Sequence, residues 1–241
     1  VTPSETRVAL IENGSLQEVH VEREARRGLV GNIYLGKIIR VLPGMQAAFV
    51  DINLGKAAFL HASDINSKLI LKEDSNSEQV PDIRNLVHEG QYIVVQVVKD
   101  PMGTKGGRLT TDITVAARFL VLMPNASHAG ISQRIEDPKE RNRLKSIVTP
   151  YCGEDHGFIV RTAAEGAGIE ELQHDAEFLR RVWAKVIERK ERKQTKDPIY
   201  QDLSLAFRVL RDFVGVSLER IRIDSKLTYE QLVEFTSEFV P

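Results

Sequence analysis

With 241 residues, the chain is long enough for one large domain or for two to three small modules, each burying its own core. Hydrophobic residues make up 42% and charged residues 28%, and the formal net charge of −1 excludes recognition of nucleic acid by overall basicity, so any such surface has to be a local patch. The single cysteine, Cys152, excludes an intrachain disulfide and a Cys-x-x-Cys knuckle and fits a reducing cytoplasm, and no apolar run is long enough to span a membrane.

Arg7 to Ile11 and Gln17 to Val21 are suited to strands, and Asn13-Gly14 between them supplies the positive φ angles of a tight hairpin turn. After Gly28 three more strands are predicted over Asn32 to Leu42, Gln46 to Ile52 and Ala57 to His61. Pro43-Gly44 and Asn53-Leu54-Gly55 separate them as turns, at the spacing of a small barrel. Ser67 to Asp82 is polar and poorly patterned, as an insertion loop would be. Gln91 to Lys99 alternates like a strand, and Pro101 to Gly107 is a turn-rich loop.

From Thr110 the pattern changes. Phe119 to Met123 reads as a short apolar strand. Asp137-Pro138-Lys139-Glu140 is a helix start, with Asp as cap, Pro in the first helical position and Glu reaching back; that helix should stop before Pro150. Gly157 to Val160 is a strand ending at Arg161-Thr162. Ile169, Leu172, Ala176, Leu179, Val182, Trp183 and Val186 recur at helical spacing, so Ile169 to about Arg192 is a long amphipathic helix. Its end is basic: Arg180, Arg181, Lys185, Arg189, Lys190, Arg192, Lys193 and Lys196 face only Glu188 and Glu191, as a solvated helix face or as an extension of a nucleic-acid track. Leu203 to Phe213 marks another helix. Glu219 to Ile223 alternates like a half-buried strand, and Thr228 with Gln231 forms a capping box for a last helix through about Phe239.

One run carries chemistry. Gly36-Lys37-Ile38, Gln46-Ala47-Ala48-Phe49-Val50-Asp51, Gly55 and Ala58-Phe59-Leu60-His61-Ala62-Ser63-Asp64-Ile65, followed by Glu89-Gly90-Gln91, resemble an S-one domain, an oligonucleotide-binding barrel. Such barrels stack bases on aromatic side chains while nearby cations hold the phosphates. Phe49 and Phe59 are the aromatic candidates, Lys37 and Lys105 the cations, with Tyr34 and His61 as neighbours. By periodicity alone Phe49 and Phe59 read as barrel core, since most strand aromatics are buried, and Lys105 as a solvated loop charge; the full motif reverses that reading.

A wider ordered set extends the likeness over essentially the whole chain: Asn32-Ile33-Tyr34, Gly103-Thr104-Lys105-Gly106, Leu109-Thr110-Thr111, Leu120-Val121-Leu122-Met123-Pro124, Ile131-Ser132-Gln133-Arg134-Ile135 and Val160-Arg161-Thr162-Ala163. In this order they resemble the ribonuclease E/G family, closer to its G branch than to its E branch. The resemblance implies an α+β, multi-subdomain fold: a ribonuclease-H-like subdomain (residues 1–29 and 205–241) interrupted by an S-one-type OB-fold barrel (30–111) and an α/β 5′-sensor module (112–204). It implies that Arg161 and Thr162 hold an RNA 5′-monophosphate, with Val121 near the terminal base. Arg offers a planar fork matched to phosphate oxygens and Thr a hydroxyl. Ala117 stands where the E branch carries glycine, a departure at a nucleotide contact. Read without the family, Arg161-Thr162 is a polar strand end.

The same resemblance places the family's two Mg²⁺-holding aspartates in a module beyond Pro241, and the cysteines that bind a linking zinc in the family are absent from this sequence. No catalytic or metal-binding residue is therefore assigned here. Val50-Asp51-Ile52-Asn53 mimics a catalytic string, but its neighbours put it in the barrel. The expected function is RNA binding and 5′-monophosphate sensing within a Mg²⁺-dependent endoribonuclease. That parent would be cytoplasmic and homo-oligomeric, acting on single-stranded RNA in processing and decay, including rRNA maturation; this stretch alone would be inactive. The alternative is a stand-alone S-one-domain RNA-binding protein. The opening Val1 reads as a trimmed start or a fragment.

Overall fold

The computed structural model describes residues 1–66, 81–103, 105–192, 197–213 and 218–239. The chain opens as the antiparallel hairpin β1 (Glu5–Glu12) and β2 (Ser15–Arg23). Asn13 (φ 51°) and Gly14 (φ 76°) make the left-handed turn that their sequence demands.

The next strands close on themselves. β3 (Ile33–Leu42), β4 (Ala47–Asp51) and β5 (Ala58–His61) are followed by a one-turn helix α1 (Ile83–Leu86), β6 (Tyr92–Lys99) and β7 (Arg108–Thr110). They form a closed barrel in the order β3-β4-β5-β7-β6, all antiparallel except β5 with β7. Alternation explains the closure: Ile38, Ala48, Val50, Ala58, Leu60, Val95, Val97 and Leu109 point inward and are buried, and Ile83 and Leu86 of α1 join them. The expected insertion loop lies, over 67–80, outside the described residues. Its last residue, Asp82, caps α1 by accepting from Arg84 N at 2.9 Å.

A second unit follows. β8 (Val115–Ala116), β9 (Leu120–Met123), β10 (Ala129–Ile131) and β11 (Gly157–Val160) form a sheet in the order β10-β11-β9-β8, with β10 parallel to β11. Helices α2 (Pro138–Val148) and α3 (Ile169–Glu191) cover one face. Leu120, Leu122, Phe158 and Val160 pack there with Leu144, Val148, Leu172, Ala176 and Leu179. Ile33 and Leu35 of β3 belong to the same core, and Ile33 exchanges backbone hydrogen bonds with Ile199 and Tyr200, so barrel and sheet share a seam.

Two caps differ from expectation. Asp137 caps α2 through Lys139 N (3.0 Å), but Glu140 does not reach back; it pairs with Arg143 and accepts from Gly166 N at 2.9 Å. The last helix, α5 (Lys226–Phe239), is capped by Ser225, whose Oγ accepts from Thr228 N and Thr228 Oγ1; Thr228 is inside the helix and is not its cap. The predicted strand over Glu219 to Ile223 is absent. Among the described residues that segment has no partner strand, and residues 219–222 are exposed, so alternation had no ladder or covered face to act through. The preceding helix α4 (Leu205–Phe213) packs on the opening hairpin. Glu22 of β2 accepts from Leu205 N and pairs with Arg208, both at 2.9 Å.

One buried acid ties the second unit together. Asp175 of α3 is 6% exposed, and its Oδ2 accepts from Phe119 N (2.6 Å) and Leu120 N (3.0 Å) at the start of β9. Burial pushes its carboxyl up to about 6 against those two donors. Between the unfolded value and about 6, the folded chain therefore holds a proton that the unfolded chain releases. Stability from this group falls as pH rises through that window and is flat above it. Urea unfolding of wild type and Asp175→Asn should show it: their difference should change by up to about 3 kcal/mol between about pH 4 and about pH 7, with wild type favoured at the acid end. Parallel profiles would mean that Asp175 titrates normally.

Candidate nucleic-acid interface

The alternation that buries Ala48, Val50, Ala58 and Leu60 turns Phe49, Phe59 and His61 outward, and all three are half-buried. Neither phenylalanine is core. They sit directly opposite one another on β4 and β5, ring centroids 6.3 Å apart and edge-on, with His61 6.4 Å from Phe59. The register extends the row at both ends: Arg40 of β3 faces Phe49, and Arg108 of β7 faces Phe59. A four-strand line thus runs cation, aromatic, aromatic, cation. Arg108 is fixed by a two-pronged pair with Asp64 (2.8 and 3.0 Å), while Arg40 forms no ion pair among the described residues. Such a face can stack bases and attract the phosphates between them.

Lys37 lies on the same barrel, exposed, opposite Asp51 and Tyr92, its ammonium 5.9 Å from the Tyr92 ring centre. Lys105 is exposed in the β6–β7 loop, where Met102 and Lys105 bridge through their backbones. Tyr34 is a correction: it is 3% exposed in the barrel core, its hydroxyl near Asn32, and cannot face a ligand. Arg40, Arg108 and Tyr92 escaped the sequence reading. The signal for Arg40 and Arg108 was the strand register, which requires knowing that Ile39 sits in a bulge and that β7 exists.

Arg161, Thr162 and Val121 come together on the second unit. Val121 pairs with Ile159, and Arg161 follows two residues later on the same face, opposite the one that α2 and α3 cover; Arg161 N donates to Phe119 O at 2.8 Å. Thr162 opens a single 3-10 turn, its Oγ1 3.3 Å from Ser132 Oγ. The Arg161 Nη1 donates to Ala117 O (2.6 Å), Arg118 O (3.1 Å) and Asp212 Oδ1 (3.0 Å). Its Nε and Nη2 form no hydrogen bond among the described residues, which leaves one edge of the fork open. The nearby cavity of about 130 Å³, lined by Ala117, Arg118, Phe178, Tyr200 and Arg211 among others, does not include Arg161, Thr162 or Val121.

Part of the basic helix end is structural. Arg180 donates to Tyr151 O and to His156, and Arg189 to Ile199 O at 3.1 Å. Arg192 pairs with Glu188; Arg181, Lys185 and Lys190 are exposed, and Lys193 and Lys196 lie outside the described residues.

A closed barrel of five short strands with an aromatic and cationic row on its wall fits an OB-fold. Residues 114–241 match the Ribonuclease E/G family, and the chain belongs to that family. It is 63% identical to Ribonuclease G of Escherichia coli (strain K12) and 60% identical to Ribonuclease G of Haemophilus influenzae, each over 243 aligned residues covering all of this chain and 50% of the relative. Ribonuclease E of Buchnera aphidicola subsp. Schizaphis graminum is 36% identical over 223 residues, 92% of this chain and 23% of that protein. The chain spans about half the length of the ribonuclease G relatives. The intact alpha subunit of aIF2 from Pyrococcus abyssi aligns over 75% of this chain and 51% of its own at 18% identity and a TM-score of 0.25, too slight a likeness to add to the fold. Among the described residues no helix is long and apolar enough to cross a membrane.

Proposed function

We propose that this chain grips single-stranded RNA and reads its 5′ end within a Mg²⁺-dependent endoribonuclease of RNA processing and decay, rRNA maturation included, and that the parent is cytoplasmic and homo-oligomeric. The observation that carries it is the row Arg40–Phe49–Phe59–Arg108 across the barrel wall. The open edge of the Arg161 fork, beside Thr162 and on the face of Val121, supports monophosphate binding, because Nε and Nη2 match two phosphate oxygens. The Glu22 contacts to α4 support a ribonuclease-H-like unit made of 1–29 and 205–241, around a barrel at 30–111 and a sensor at 112–204.

We assign no Mg²⁺ site to the described residues. Asp51 Oδ1 accepts from Asn53 N at 2.8 Å in a turn, and among the described residues no three His, Cys, Asp or Glu side chains gather as ligands. No step of cleavage is assigned to the described residues.

The test is equilibrium binding of one short RNA carrying a 5′-monophosphate, triphosphate or hydroxyl. Wild type should bind all three and prefer the monophosphate. Arg161→Gln should lower that preference about tenfold, by loss of charge-assisted hydrogen bonds, with little change for the hydroxyl end. Equal affinity of wild type for the three ends defeats the 5′-end reading, and an equal loss across them makes Arg161 a general backbone contact.

A further inference from the structure

The fork of Arg161 is aimed by groups from two different parts of the chain. Two are carbonyls, Ala117 O and Arg118 O, in the connection between β8 and β9; the third is the Asp212 carboxylate, near the end of α4. All three act on Nη1. Asp212 is in turn gripped by its neighbour in sequence: Arg211 Nε donates to Oδ1 and Nη2 to Oδ2, both at 3.0 Å. The remaining Arg211 Nη1 donates to Ala116 O at 3.1 Å. Carbonyls 116, 117 and 118 are therefore claimed in succession by two arginines, with one carboxylate between them. Arg211 and Asp212 lie 50 and more residues from Arg161 in sequence, so no local pattern demands the arrangement.

Its consequence is geometric. A guanidinium rotates about its own stem unless one nitrogen is pinned, and a free rotor has to be ordered by its ligand. With Nη1 held, the Nε–Nη2 edge is preset, and that edge matches two oxygens of a phosphate. Asp212 does not occupy it. Burial alone would push the Asp212 carboxyl up, but Arg211 and Arg161 outweigh it and hold the acid below its usual range, so it remains an anion at neutral pH. Both side chains of the pair are about a third exposed, at 30% for Arg161 and 32% for Asp212, so a terminal phosphate can approach from solvent.

Resting on the 5′-end reading above, we infer that Asp212, clamped by Arg211, is a positioning residue that orients Arg161 for a 5′-monophosphate and thereby couples the phosphate site to helix α4. An acidic residue beside an anion site would, on charge alone, oppose the anion. Here its place on the far side of the guanidinium makes it an aiming group instead.

Binding of the same short RNA with 5′-monophosphate and with 5′-hydroxyl tests this in wild type, Asp212→Ala, Asp212→Asn, Arg161→Gln and the Arg161→Gln/Asp212→Ala pair. The readout is the ratio of the two affinities on one preparation, from which any loss of folded protein cancels. Asp212→Ala should lower the ratio about tenfold, the scale of one charge-assisted hydrogen bond, while hydroxyl-ended RNA binds as before. Asp212→Asn keeps an oxygen for Nη1 and should retain more of the ratio than the alanine variant. In the Arg161→Gln background, Asp212→Ala should change nothing further. A ratio unchanged by Asp212→Ala overturns the inference and leaves the 5′-end reading standing. A raised ratio overturns it differently, by showing Asp212 to compete with the phosphate. Equal losses in the Ala and Asn variants, or additive losses in the pair, also overturn it. No preference in wild type removes the 5′-end reading and this inference together.

Discussion

Replacing Phe49 and Phe59 together by alanine is expected to weaken binding of single-stranded RNA by at least about thirtyfold. Each stacked base contributes about 1–3 kcal/mol, so two lost platforms remove at least about 2 kcal/mol. The barrel should tolerate the change, because both rings lie on the outer wall and the buried positions beside them are filled by Ala48, Val50, Ala58 and Leu60. Arg40→Ala and Lys37→Ala should behave differently from the aromatic variants: their losses should shrink as salt rises, since a lysine or arginine on a phosphate acts partly by releasing counterions. Fluorescence anisotropy at low and moderate salt, alongside thermal melts, separates the two kinds of contact. A double-phenylalanine variant that melts early but binds normally while folded would return both rings to a packing role.

The strands of the barrel were legible because period-two alternation and turn residues coincide. Asn13-Gly14, Pro43-Gly44 and Asn53-Leu54-Gly55 mark turns in sequence and do so in the structure, where Asn53 (φ 63°) and Gly55 (φ 73°) adopt the left-handed region. Phe49 and Phe59 were visible as candidates but not as outward-facing. Both Ala48-Phe49-Val50 and Ala58-Phe59-Leu60 are apolar throughout, so alternation had no polar phase to declare a face. Small Ala48 and Ala58 fill the inner positions, and the larger rings are left outside.

What escaped was set by partners distant in sequence. β10 is three residues long, Ala129–Ile131, and is a strand only because β11 pairs with it in parallel. The segment from Glu219 to Ile223 has the better strand pattern but no partner among the described residues, and it forms no strand. Charge was similarly ambiguous. The basic end of α3 reads as one patch, yet Arg180 and Arg189 are used on the carbonyls of Tyr151 and Ile199, while Arg40 on the barrel wall, without an ion pair among the described residues, stands alone in sequence. The Arg161–Asp212 pair spans 51 residues and two elements, beyond the reach of any spacing rule.

Gly106→Ala is expected to destabilise the barrel by about 3 kcal/mol, at or above the usual range for overpacking, because the obstacle is backbone and no side chain can rotate out of the way. A Cβ at Gly106 would meet Ala57 O at 1.8 Å and Ala57 C at 2.8 Å. That contact sits where the barrel closes. The parallel pairing of β5 with β7 consists of Phe59 opposite Arg108 and Leu60 opposite Leu109, and Phe59 N donates to Gly107 O at 2.7 Å next to the clash. Any shift that accommodates the methyl group pulls β7 from β5 and separates Arg108 from Phe59 in the stacking row. Gly44→Ala is the matched control: nothing lies within 4 Å of its Cβ and its φ is outside the left-handed region, so its cost should stay near the difference between glycine and alanine in an exposed turn. For a chain of this length, about 3 kcal/mol corresponds to a fall of roughly 6–12 °C in Tm. RNA affinity should fall with it even below the melt, since the row is broken before the barrel unfolds. If Gly106→Ala melts with Gly44→Ala and binds RNA normally, the β6–β7 loop moves aside at no cost, and the closing contact with Ala57 contributes neither to stability nor to the aim of Arg108.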